Sequence, residues 1–398
     1  MSLRNLLSVL CAGALFLSAA ALAEPATAPP KPGDPMQPGY HPASDTDEAG
    51  LWMMNDKAED TFKTSPLLVR DAALNAYVRS VMCKLAKDQC ADMRLYILDI
   101  PYFNAAMAPN GAMQVWTGLL LRAQNEAQLA CVLGHEISHY TLRHTLAEWR
   151  RAVNTSGAMA VLGIVTAGAG VGLIGLAADY ALLGSMMSFS RDEEREADAH
   201  GQDLVAAAGY DPAQCAALWQ EQMAEEDAEP EHKDGFLFLR THPANKERLA
   251  TMQSRAAALP APAAAPQVDA EALLQATHGF RAAWLGEELN RSHYGQSLIL
   301  VQALLAADPK SGELQFYLAE VYRRRNEAGD AARAADEYKS AIAAGAPVSA
   351  FRGLGLTAMK SGDPAGARDA FQHYLDAAPA ADDRAMVEYY IAHLGDHT

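Results

Sequence analysis

Gly134-His135-Glu136-Ile137-Ser138-His139 is the stretch on which the reading of this chain turns. On a helix, residues four apart share a face, so His135 and His139 stand together with Glu136 beside them. Two neutral imidazoles so placed can take one zinc ion, and the intervening glutamate can reach a water held there. Leu129-Ala130-Cys131-Val132-Leu133 leads into the motif, and no proline falls between Glu126 and His144. That pattern predicts a buried helix over Glu126 to Arg143. Two histidines and a glutamate on one side of a buried helix cost free energy unless they are used, which weighs against a chance match.

An open zinc site needs a third protein ligand. The elongated motif that places glycine at 142 and histidine at 145 is excluded by Leu142 and Thr145. A glutamate on a second helix is the alternative, and Arg191-Asp192-Glu193-Glu194-Arg195-Glu196-Ala197-Asp198 offers one. Glu194 and Asp198 share a face. Glu194 would bind the metal, and Asp198 would accept the second N–H of a histidine ligand and fix its tautomer. Glu193 and Glu196 point elsewhere on that helix and read as solvated. Spacing alone would make the run a charged helix face; the need for a third ligand is what gives it weight.

The chain has 398 residues, 50% of them apolar, enough for two domains with separate cores. Asp plus Glu number 49 against 32 Lys plus Arg, for a net charge of -17. Such a surface argues against nucleic acid as a partner and against simple electrostatic docking on an anionic membrane. Arg4, the apolar run from Leu6 to Leu22 and Ala21-Leu22-Ala23 read as a signal peptide over 1–23, cleaved before Glu24. A Pro-rich linker follows at 24–44. A Pro/Ala-rich stretch at 256–268 separates a first domain at 45–255 from a second at 269–398.

In the first domain, strands are expected at Arg94 to Ile100 and on both sides of Pro109-Asn110-Gly111. The domain reads as α+β, mostly helical with a small β-sheet. The second reads as all-α. Gly329-Asp330 recurs as Gly362-Asp363, Tyr338 as Phe371 and Ile342 as Leu375, a period of 33 that fits a tetratricopeptide-like repeat domain. Cys83 and Cys90 flank a helix end and can bridge, whereas Cys131 reads as a small buried hydrophobe.

These motifs resemble the peptidase family that includes the heat-shock protease HtpX and the CAAX prenyl protease. Its H-E-x-x-H and E-x-x-x-D fall here on His135 to His139 and on Glu194 to Asp198. Asn104-Ala105, Pro109-Asn110-Gly111, Ser190-Arg191 and Thr241-His242-Pro243 match as well. The resemblance covers 45–255 and is loose after 269. It implies a zincin-type metallopeptidase domain with one zinc ion per chain on His135, His139 and Glu194, Glu136 as general base, and protein substrates. The soluble periplasmic branch of that family joins such a domain to tetratricopeptide repeats. That implies a periplasmic endopeptidase of envelope quality control, whose repeats recruit substrate or the outer-membrane assembly machinery.

His242 precedes Pro243 in an extended or turn segment and admits three roles: closing the open zinc position, donating to the transition state, or a structural one. Substrate is expected to lie along Asn104 to Ala108 as an added edge strand. Gly157 to Ala178 is 22 residues without a charge, long enough to span a bilayer. A single crossing would part His139 from Glu194, so a helix pair lying against the domain, or making peripheral membrane contact, is expected. The rival function is a chaperone or adaptor of outer-membrane protein assembly with a latent zinc site.

Overall fold

The computed structural model describes residues 35–156, 189–229, 242, 246–260 and 265–394. The signal-peptide reading at 1–23 and the glycine-rich run at 157–178 lie outside them. Helices α1 (Asp47–Thr64) and α2 (Ala72–Ala86) lead into three strands, β1 (Arg94–Leu98), β2 (Ala105–Met107) and β3 (Ala112–Trp116). The sheet order is β1-β3-β2, with β1 parallel and β2 antiparallel to β3. The expected strands are present, and β2 is an edge strand. Gly111 makes the β2–β3 turn at φ +87, where a Cβ would meet the Asp92 carbonyl oxygen at 2.3 Å. Only glycine fits there.

Helices α3 (Thr117–Arg122), α4 (Glu126–Thr141) and α5 (His144–Ser156) follow, then α6 (Arg191–Ala207), α7 (Ala213–Asp227) and α8 (Lys246–Ala258). Asn125 caps α4 by accepting from the Gln128 N–H at 2.8 Å, and every residue of α4 is buried. The helix that carries H-E-x-x-H is therefore the centre of the domain, packed between α2, α6, α7 and β2. Gly134 on α4 faces Gly201 on α6. A Cβ on Gly201 would lie 3.0 Å from the His135 nitrogen, so the paired glycines let the two backbones approach closely. Ser190 and Glu193 start α6 with a reciprocal capping box.

The rest is helical: α9 (Ala270–Asn290), α10 (Tyr294–Ala307), α11 (Gly312–Arg325), α12 (Asp330–Ala343), α13 (Ser349–Lys360), α14 (Pro364–Ala377) and α15 (Arg384–Ala392). Tyr338 on α12 is buried against Gly353, and Phe371 on α14 against Gly355, so each recurring aromatic fills a notch left by a glycine on α13. Among the described residues no helix is long and apolar enough to cross a membrane.

Three expectations are corrected. First, 256–268 does not separate two cores. Leu273, Trp284, Leu285, Leu289 and Leu300 belong to the same buried cluster as Leu129 and Leu133 of α4. Arg122 on α3 is wholly buried and pairs with Glu225 on α7 at 2.8 Å and Glu288 on α9 at 3.0 Å. An apolar face and a buried ion cluster on α9 fasten it to the first domain, and composition alone hid this. Second, residues 35–44 are not a free linker. Met36 is buried, and its N–H donates to the Thr141 carbonyl at 2.8 Å. Third, Cys131 is not a lone hydrophobe. It is disulfide-bonded to Cys215, 84 residues away, while Cys83 and Cys90 bridge as expected.

Candidate metal centre

His135, Glu136 and His139 project from α4, and Glu194 and Asp198 from α6. The Gly134–Gly201 contact sets how near the two helices lie. His242 enters from outside both. His135, His139, Glu194 and His242 each bring one donor atom into a group within 4.8 Å of one another, all four buried. His135 Nε2 lies 3.0 Å from His139 Nε2 and 3.1 Å from His242 Nδ1. Glu194 Oε1 lies 2.9 Å from His242 Nδ1 and 3.6 Å from His139 Nε2. Glu194 Oε2 lies 3.6 Å from His135 Nε2. Four donors at tetrahedral zinc distances sit roughly 3.3 Å apart, so the set fits that ion.

Electrostatics separates the roles. Burial pushes the Glu136 carboxyl up to about 8. Burial also raises Glu194, but His242, His135 and Arg248 overcome it and hold that carboxylate below its ordinary range. Burial drives His139 well below the usual imidazole value, toward the neutral form a metal requires. Glu136 Oε2 accepts the Met107 N–H of β2 at 3.1 Å. Its Oε1 is buried without a hydrogen bond among the described residues, 3.6 Å from His242 Nε2. A buried carboxylate oxygen left in this way, facing four converging donors, is expected of a site built for a further group.

Around the donors stands a supporting shell. His135 Nδ1 lies 3.0 Å from Asp198 Oδ1, where the sequence expectation put it. Asp198 in turn takes a bidentate pair from Arg248 at 2.8 Å on both oxygens, and Arg248 Nη1 reaches Glu194 Oε2 at 2.8 Å. The Arg248 guanidinium lies 5.0 Å from the Trp219 ring centroid. Trp219 and the Cys131–Cys215 disulfide line a small cavity shared with His135 and Asp198. Arg248 was missed in the sequence because Lys246-Glu247-Arg248 reads as a charged surface turn. Glu196 is exposed, as a solvated residue should be, whereas Glu193 is half-buried. Glu193 closes the α6 capping box and pairs with Arg151, and Glu196 Oε2 lies 3.3 Å from His144 Nε2. Side-chain reach brings them back toward α5, which spacing on α6 alone did not reveal. Asn104 precedes β2 and Ala105 opens it, both buried beside the site's edge strand.

Residues 70–256 match peptidase family M48. The chain is 31% identical over 179 residues to the mitochondrial metalloendopeptidase OMA1 of Schizosaccharomyces pombe, covering 44% of this chain and 50% of that one. It is also similar to the beta-barrel assembly-enhancing protease of Escherichia coli, at 27% identity over 212 residues, covering 51% of this chain and 43% of that one. Bos taurus metalloendopeptidase OMA1 is 32% identical over 167 residues, covering 39% of this chain and 30% of that one. The chain thus spans half or less of the length of these relatives. The match ends at 256, while the core that surrounds the M48 site continues into α9 and α10.

Proposed function

We propose that this chain is a zinc-dependent endopeptidase of the bacterial cell envelope that degrades misfolded or misassembled proteins. The observation that carries this reading is the convergence of His135, His139 and Glu194 with Glu136, directly beside edge strand β2. When bound, zinc supplies Lewis-acid polarisation of a peptide carbonyl and an acidified water. The protein's own residues do the rest. A peptide added along β2 takes the Met107 N–H and so frees Glu136 Oε2. Glu136 accepts a proton from the attacking water and returns it to the leaving amine. Asp198 and Arg248 keep His135 and Glu194 in place through this cycle.

His242 is read here as a latch. As a fourth donor beside His135, His139 and Glu194 it would occupy the position a substrate carbonyl needs and so would hold the resting enzyme closed. The helical region from α9 onward is proposed to recruit protein substrates or outer-membrane assembly machinery, and residues 157–178 to make peripheral membrane contact. Periplasmic location rests on the signal-peptide reading, and nucleic acid is not expected as a partner. Glu136→Gln and His242→Ala, assayed with an unfolded protein such as casein, test the proposal. Glu136→Gln should cost roughly 10²–10⁴-fold in rate, and His242→Ala should raise it. Unchanged rates in both would sink the reading.

The closed four-donor group also favours a second reading, a chaperone or adaptor with a permanently latent site. That reading predicts that Glu136→Gln complements a deletion strain as well as the wild type does.

A further inference from the structure

We propose that His144 is a positioning residue for the metal centre: it accepts the Nδ1–H of His139 and, with Glu196, fixes which nitrogen of His139 faces the metal. This rests on the zinc reading above. His139 turns Nε2 inward, 3.0 Å from His135 Nε2, so its Nδ1 faces away from the donor group. There it lies 3.0 Å from His144 Nδ1. The other ring nitrogen of His144, Nε2, lies 3.3 Å from Glu196 Oε2. A carboxylate only accepts, so His144 holds its proton on Nε2 and leaves the Nδ1 lone pair for His139. His139 then donates from Nδ1 and keeps Nε2 as a free electron pair, the form a metal binds. The arrangement parallels the one on the other side of the site, where His135 Nδ1 meets Asp198 and Asp198 meets Arg248.

The backbone is shaped for this contact. Helix α4 stops at Thr141 and α5 starts at His144. Between them Arg143 stands at φ +61, a left-handed conformation that a non-glycine residue adopts at a cost. In an unbroken helix, a residue five positions after His139 would turn to another face. The break at Arg143 swings His144 back beneath His139. Arg143 is held in this conformation by its ion pair with Glu48 of α1 and by the Tyr40 ring, 5.5 Å away. Phe189 stacks on His139 at 3.9 Å and limits rotation of that ring. His144 itself is 4% exposed, so water does not replace it as the acceptor without rearrangement.

The test is the zinc dissociation constant of the full chain, measured by competition with a chromophoric chelator, with the thermal midpoint of the metal-free protein recorded alongside. His144→Ala should bind zinc roughly 10–100-fold more weakly than the wild type. His144→Asn, whose amide oxygen can stand where Nδ1 stands, should recover most of that loss. Wild-type affinity in His144→Ala would overturn the proposal. So would equal losses in both variants, because a packing role is indifferent to the acceptor. A wild-type chain that takes up no zinc would instead overturn the zinc reading on which the proposal stands.

Discussion

The Cys131–Cys215 bond closes a loop that contains His135, His139 and Glu194, three of the four candidate donors. Removing it by Cys131→Ala with Cys215→Ala therefore loosens the segment on which the site is built. The two cysteines are 84 residues apart, and the loop-entropy relation then gives about 4.6 kcal/mol at 25 °C. The Cys83–Cys90 bond spans only 7 residues, for which the same relation gives about 2.4 kcal/mol. The long bond should thus be worth about 2 kcal/mol more than the short one. Guanidinium unfolding of the metal-free full chain, in the wild type and each double-alanine variant, measures both. Equal losses, or a loss for the long bond below about 1 kcal/mol, would show that loop closure does not set the worth of these bonds.

Arg122→Met strands Glu225 in the core and should cost about 3–5 kcal/mol, with much of it recovered when Glu225→Gln is added; urea midpoints check this. Burial lifts Glu225 from 4.5 to about 7, so its folded form holds a proton more tightly than the unfolded chain does. The associated stability is full below pH 4.5 and is lost as pH rises through about 7. Between pH 4.5 and 8, the stability of Glu225→Gln relative to wild type should rise by on the order of 3 kcal/mol, read from urea curves at several pH values. Gly201→Ala places a Cβ 3.0 Å from the His135 nitrogen and 3.1 Å from the Gly134 carbonyl carbon, pushing α6 away from α4. Weaker zinc binding is expected despite alanine's higher helix propensity, and chelator competition would show it.

The parts of the site that a helix repeats locally were readable in the sequence. His135, Glu136 and His139 follow from one turn of α4, and Glu194 with Asp198 from one turn of α6. The three strands followed from β-rich runs around Pro109-Asn110-Gly111. What the sequence hid depends on how separate elements meet. Cys215 is 84 residues from Cys131, and no spacing rule pairs them. His144 reaches His139 only because Arg143 breaks the helix. Arg248 looks like a surface charge until Glu194 and Asp198 close on it. The Pro/Ala-rich stretch looked like a domain boundary, yet Trp284 and Leu285 of α9 complete the core that begins at α4. In each case the missing information was tertiary contact, which composition and periodicity do not carry.

In the proposed resting enzyme His135, His139, Glu194 and His242 close on one zinc ion. Zinc-edge X-ray absorption of the purified full chain tests it most directly. One zinc per chain with three imidazoles and one carboxylate is expected, with one imidazole lost in His242→Ala. An absence of zinc, or a coordination shell unchanged by His242→Ala, would contradict it.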